Sequence, residues 1–210
     1  MKKFLPLFLV ALLCSARVSA QELRYGITGS MNVANYAMEV GGVSFEPDSR
    51  IGFRAGFRME MDAPFIYDGF YFGGEVALSA KGSKFSTTLS DETVSVTSRP
   101  YYLEIPIHIG YRYMLGSGKV GLFGSFGPYF GVGLFGTNKV VAGAVETTPD
   151  TFNSDDLKRF DFGIGLRAGV CMFKHYQIYL GYDWGLINVA QADNSKLNNR
   201  NFYVGAAYMF

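Results

Sequence analysis

The sequence predicts an all-β fold: an eight-stranded antiparallel transmembrane β-barrel, wound as an up-and-down meander. Three observations predict it. Apolar and polar residues alternate with period two along most of the chain after residue 20, which sends strand side chains to opposite faces. Short connections alternate with long ones, as they do between the two ends of an outer-membrane barrel. The composition also fits: 26 Gly, 14 Tyr and 19 Phe against 7 Pro in 210 residues.

Hydrophobic residues make 49% of the chain and charged residues 18%, with a formal charge of +1. The charged share is below the roughly 25% of soluble domains. Disorder, collagen, coiled coil and a disulfide scaffold are excluded, and no basic surface for nucleic acid is expected. The first residues read as an export signal over 1–20. Met1-Lys2-Lys3 is basic, Phe4 to Leu13 is apolar, and Val18-Ser19-Ala20 has the small-residue pattern of a cleavage site. The apolar run falls short of the ~20 residues of a spanning helix. Leu13 before Cys14 argues against lipidation, where a small residue is wanted. The mature chain is then expected to be a barrel domain over 21–210 with a formal charge of −2 and a single cysteine, Cys171.

The strands follow in order. Leu23, Tyr25, Ile27 and Met31 oppose Arg24, Thr28, Ser30 and Asn32. Ile51, Phe53, Ala55, Phe57, Met59 and Met61 oppose Gly52, Arg54, Gly56, Arg58 and Glu60, an alternation that no helical stripe produces. Phe70, Phe72, Val76 and Leu78 oppose Tyr71, Glu75, Ser79 and Lys81. Tyr101 to Tyr113 sets Leu103, Ile105, Ile107 and Ile109 against Tyr102, Glu104, His108 and Arg112. Residues 119–133 are ambiguous, because Phe123 and Phe126 have opposite parity; Pro128 there removes a ladder donor or marks a bulge or irregular end. Phe160 to Met172 opposes its apolar residues to Asp161, Arg167 and three glycines. Tyr176 to Trp184 opposes them to Gln177, Tyr179 and Asp183, and Phe202, Val204, Ala206, Tyr208 and Phe210 close the chain.

Connections near 62–68, 116–118 and 174 are short; those near 34–48, 82–97, 134–157 and 189–198 are long. Even strand number puts both mature termini on the short-turn, periplasmic side, with the long loops extracellular. A β-sandwich or soluble lipocalin-like barrel is the alternative architecture. It would carry its charges on the outer face. Here the polar face is rich in Gly with few, strong charges, as a narrow lumen filled by side chains requires. The other face is uncharged and aromatic, as lipid contact requires.

Several segments resemble the PorT-like outer-membrane barrels of Bacteroidetes-type bacteria. Leu103-Glu104-Ile105-Pro106-Ile107 is similar to that family's L-E-I-P segment. Ser79-Ala80-Lys81-Gly82 is similar to the end of its third strand and Gly127-Pro128-Tyr129 to its G-P-Y. Asp161-Phe162-Gly163, Gly181-Tyr182, Gly185-Leu186-Ile187-Asn188, Asn199-Arg200-Asn201 and Tyr208-Met209-Phe210 also fit. Gly181 stands where the family usually has Arg, which implies one lumen cation fewer. The resemblance spans essentially all of 21–210. It implies the barrel fold in a Gram-negative outer membrane and, from some relatives, support of protein secretion. Function does not follow from fold.

The inward face gathers Arg54, Arg58, Glu60, Glu75, Glu104, Arg112, Asp161, Arg167 and Asp183. Charges in a dry space must pair, so the expected role is a structural plug of ion pairs. Symmetric pairing about the 62–68 turn would set Arg54 opposite Glu75. An ion path or catalytic carboxylate pair is the alternative. A second alternative is a lipid-modifying enzyme with His108 as base and Ser125 as nucleophile. The expectation remains a non-enzymatic barrel with a structural, surface-interaction or secretion-accessory role. No catalytic residue, cofactor or metal site is expected: two His and one Cys lack metal-site spacing, and no nucleotide-binding fingerprint occurs. Expected partners are outer-membrane lipid, the barrel-assembly machinery and an envelope or secretion protein. Tyr208 and Phe210 are expected to form the C-terminal assembly signal, and the long loops to form a mildly acidic outer face.

Overall fold

The computed structural model describes residues 23–89, 92–116, 118–152, 157–192 and 195–210. The export signal expected over 1–20, with Cys14, lies outside them, as do Asp91, Ser117, Asp155, Asp156 and Asn194.

Where alternation is strongest the chain forms long strands: β1 (Leu23–Val40), β3 (Asp48–Asp62), β4 (Phe70–Ala80), β6 (Glu92–Leu115), β7 (Val120–Ala142), β9 (Phe160–Met172), β10 (Tyr176–Gly185) and β11 (Ser195–Met209). Each pairs antiparallel with its neighbours, and β11 pairs β1 from Gly26↔Met209 to Val40↔Ser195. The ring of eight is therefore closed, leaving no edge that hydrocarbon would penalise. β1 and the last residue meet at the short-turn end, where the Phe210 N–H donates to the Tyr25 carbonyl at 2.7 Å.

Burial follows the predicted parity. In β1 Arg24, Thr28 and Asn32 are buried, while Leu23, Tyr25, Ile27 and Met31 are exposed. The ambiguous fifth strand resolves the same way: Phe123 points inward and Phe126 outward. At Pro128 the β6–β7 pairing is interrupted between Pro106↔Tyr129 and Ile109↔Phe126 without a change of register. The bulge lies further along, at the Tyr101/Tyr102 register shift. Outward aromatics form two bands, as at membrane interfaces. Tyr25, Tyr67, Phe70, Tyr111, Tyr208 and Phe210 cluster at the short-turn end; Phe53, Tyr101 and Phe135, with Tyr182 and Trp184, cluster at the other.

Three sequence expectations are corrected. The first concerns the long connections, which are largely strand. β1 runs to Val40 and folds back through Gly41-Gly42 into β2 (Val43–Phe45). Both glycines have positive φ, 59° and 83°, the geometry of a two-residue hairpin turn. Over 83–97 the outcome agrees with the sequence, whose Thr/Ser/Val-rich Ser83 to Thr97 could extend the strands beyond the membrane: β5 (Ser83–Leu89) pairs β6 over Lys84↔Thr97 to Leu89↔Glu92. β8 (Val145–Thr147) pairs the end of β7. The second concerns register. Arg58, not Arg54, lies opposite Glu75, and Arg54 lies opposite Ser79. The cause is the turn: β3 continues to Asp62 and Ala63 bonds Phe70, so the hairpin centres two residues later than symmetry about 62–68 assumes. The third concerns the loop after β8. Thr151 and Phe152 are buried, so this segment folds back onto the barrel instead of standing in solvent.

Candidate functional site

The middle of the lumen is filled by side chains of the inward face. Glu75 on β4 is its centre. It accepts from Arg54 Nε at 3.1 Å, from Arg58 Nη2 at 3.1 Å and from Arg167 Nη2 at 3.2 Å. The register places Arg58 directly across from Glu75, and Arg54 reaches it diagonally from two inward-facing positions earlier on β3, past Gly56. Arg54 also extends Nη1 to Asp183 at 3.3 Å and lies 3.5 Å from Glu104. Toward the long hairpins, Lys81 sits between Glu104 at 2.5 Å and Asp161 at 3.2 Å. Asp161 further accepts from Tyr129 at 3.2 Å and Asn199 at 2.9 Å. Toward the short turns, Arg24 and Arg112 share Glu60 and Asp62. Gln177 links the layers, accepting from Arg58 at 2.7 Å and donating to Glu60 at 3.0 Å.

Among the described residues, six cations (Arg24, Arg54, Arg58, Lys81, Arg112, Arg167) thus meet six carboxylates (Glu60, Asp62, Glu75, Glu104, Asp161, Asp183). The interior charge balances, which is the condition for burying it in a low dielectric. Tyrosine rings stack over the cations. Arg58 lies 4.7 Å from the Tyr179 centroid, Arg54 5.3 Å from Tyr203, Lys81 4.5 Å from Tyr129 and Arg112 4.7 Å from Tyr71. Thr28 hydrogen-bonds the Tyr179 hydroxyl. Interior glycines make the space. A β-carbon at Gly181 would overlap the Tyr203 ring, and one at Gly133 would overlap Phe152. The space beside Gly181 is therefore occupied by a tyrosine ring.

Each sequence-selected lumen residue lies in this network: Arg54, Arg58, Glu60, Glu75, Glu104, Arg112, Asp161, Arg167 and Asp183. Lys81, Gln177, Asn199 and Tyr203 belong to it as well. Lys81 was legible by parity, but its position at a strand end gave no sign that it bridges two carboxylates. His108 is buried, and its Nε2 has no hydrogen-bond partner among the described residues. Ser125 pairs across with Gly110 and Arg167, and its hydroxyl engages Tyr71. Both line a void of only about 10 Å³, shared with Arg58, Glu75 and Arg167, which is room for about one water. His175 lies at a short turn, where Nδ1 is 2.8 Å from the Met209 carbonyl. No group of three or more His, Cys, Asp or Glu suited to a metal occurs among the described residues.

A closed antiparallel ring with an apolar, aromatic-banded outer wall and a charged interior is a membrane-embedded, lipid-associated β-barrel. The chain belongs to the outer membrane protein beta-barrel domain family, whose model matches residues 19–191. Its place is accordingly the outer membrane of a Gram-negative cell. No curated protein matches it. Among solved structures it is similar to Ail, the attachment invasion locus protein of Yersinia pestis, in complex with the heparin analogue sucrose octasulfate (15% identity, 90% of this chain and 99% of that one, TM-score 0.43). It is similar to Neisserial surface protein A (12%, 89% and 97%, TM-score 0.43). It is also similar to OprG from Pseudomonas aeruginosa (9%, 90% and 95%, TM-score 0.47).

Proposed function

We propose that this protein is a non-enzymatic outer-membrane barrel whose lumen is a structural plug and whose long hairpins present a surface for an envelope or secretion protein. The observation that carries the reading is the balanced lumen: among the described residues the buried cations each meet a carboxylate, and the void beside His108 has no room for a substrate. A rigid wall of this kind suits a scaffold that holds binding segments on one end. In this reading residues 1–20 are the export signal, 21–210 the barrel, the long hairpins lie outside the cell, and both mature termini are periplasmic. Tyr208 and Phe210 form the signal read by the barrel-assembly machinery. Their exposed rings at the short-turn end support this. The narrower kinship with PorT-like barrels, and with it a secretion-accessory role, rests on the motifs quoted above.

The rival readings are a lipid-modifying enzyme using His108 and a narrow solute channel. Mass spectrometry of lipid A from cells with and without the protein tests the first: identical lipid A is expected, and a protein-dependent change lost in His108→Ala would overturn the scaffold reading. Crosslinking on intact cells, followed by identification of captured proteins, is expected to return an envelope or secretion component attached through the long hairpins.

A further inference from the structure

Above the ionic layers the barrel changes character. Tyr36, Tyr102, Phe152, Leu157 and Val189 form a buried apolar layer, with Tyr102 and Phe152 edge to face at 5.7 Å. On its outer side a cavity of about 340 Å³ opens among the long hairpins. Its walls include Met38 of β1, Phe85 of β5, Val96 of β6, Leu157 and Leu197 of β11. None of its described lining residues is charged, although the same end of the molecule carries Glu39, Lys139, Glu146 and Lys196 in exposed ion pairs. Tyr36 and Ser98 both line this cavity. Both residues are at least nine-tenths buried, and neither hydroxyl has a hydrogen-bond partner among the described residues. Two hydroxyls bring two donors. Both are left buried and unpaired, which is unfavourable unless something fills the place.

From the uncharged apolar cavity and this unspent hydroxyl pair we infer that the hairpin end is a binding site for a small, neutral, largely apolar molecule with one hydrogen-bonding group. The volume lies at the low end for small-molecule sites, so a two-chain lipid is excluded. An ionised ligand would lose its hydration with no countercharge among the described wall residues to replace it. The site is independent of the plug below it, which it neither opens nor requires to move.

The test is a ¹⁹F NMR titration of the full barrel in lipid nanodiscs with 6-fluoro-2-naphthol, against empty nanodiscs and against the anion 6-fluoro-2-naphthoate. Saturable one-to-one binding of the naphthol above the empty-disc background is expected, with no such binding of the naphthoate. Tyr36→Phe with Ser98→Ala is expected to weaken it roughly two- to tenfold, the worth of one hydrogen bond. Ala192→Trp, at an exposed part of the lining, is expected to abolish it by filling the mouth. Heat-dependent gel migration establishes that each variant is folded. Binding no greater than in empty discs, equal binding of the naphthoate, or native affinity in both variants would overturn the inference.

Discussion

Glu75 shows at the scale of one residue what holds this interior together. Three guanidiniums converge on its two oxygens, and all four side chains are almost fully buried. Removing one partner of a buried ion pair leaves uncompensated charge and costs roughly 3–5 kcal/mol. Glu75→Gln is therefore expected to lower the folded barrel's stability by about that much, read as a shift in the urea midpoint of unfolding in detergent. Glu39 offers the contrast. Its pair with Lys196 is exposed, so Glu39→Gln is expected to change the same midpoint by about 0–1 kcal/mol. Parity identified the inward face on which Glu75 and its partners sit, because period two is a local property of the chain. It did not fix which charges meet. That depends on the height at which strands pair, and the height was set by the two-residue displacement of the Asp62 to Gly69 turn. Lys81 between Glu104 and Asp161, and Gln177 between Arg58 and Glu60, became visible only with the register.

At the scale of an element, β11 is the most informative. It closes the ring on β1, and Val204 lies near mid-depth, paired with Met31 on one side and Leu180 on the other. Val204→Arg faces lipid there and is expected to cost about 2–4 kcal/mol in the folded state. Phe210 lies at the rim, its ring 5.5 Å from both Tyr25 and Tyr208. Phe210→Ala is expected to leave the finished barrel's stability nearly unchanged while slowing its insertion. Membrane abundance over time, with the heat-dependent gel shift, separates the two effects; normal insertion of Phe210→Ala would contradict an assembly role. The membrane-spanning parts of the strands were legible because lipid on one side and a charged lumen on the other force strict alternation. Beyond the membrane that contrast fades. At Ala37 to Val40 no residue is buried and the two faces no longer contrast, so the continuation of β1 into a hairpin at Gly41-Gly42 was not. Phe152 was hidden for another reason: it enters the barrel from a loop, and its place depends on the space left by Gly133 on another strand.

At the scale of the molecule, the account makes the two ends different and the middle closed. With Cys171→Ala as background, Asp150→Cys is expected to react with an impermeant thiol reagent on intact cells, because residue 150 is exposed on the long-hairpin end. Lys174→Cys is expected to react only after the outer membrane is permeabilised; the reverse pattern would invert the orientation. The closed middle follows from six cations and six carboxylates stacked with five tyrosines (Tyr71, Tyr102, Tyr129, Tyr179, Tyr203) in a ring of eight strands. Eight strands leave a bore just wide enough for its own side chains. The most direct test is liposome swelling with the purified, folded native barrel in arabinose or sucrose. The filled lumen predicts swelling no faster than that of protein-free liposomes; sugar entry that rises with the amount of folded barrel would contradict it.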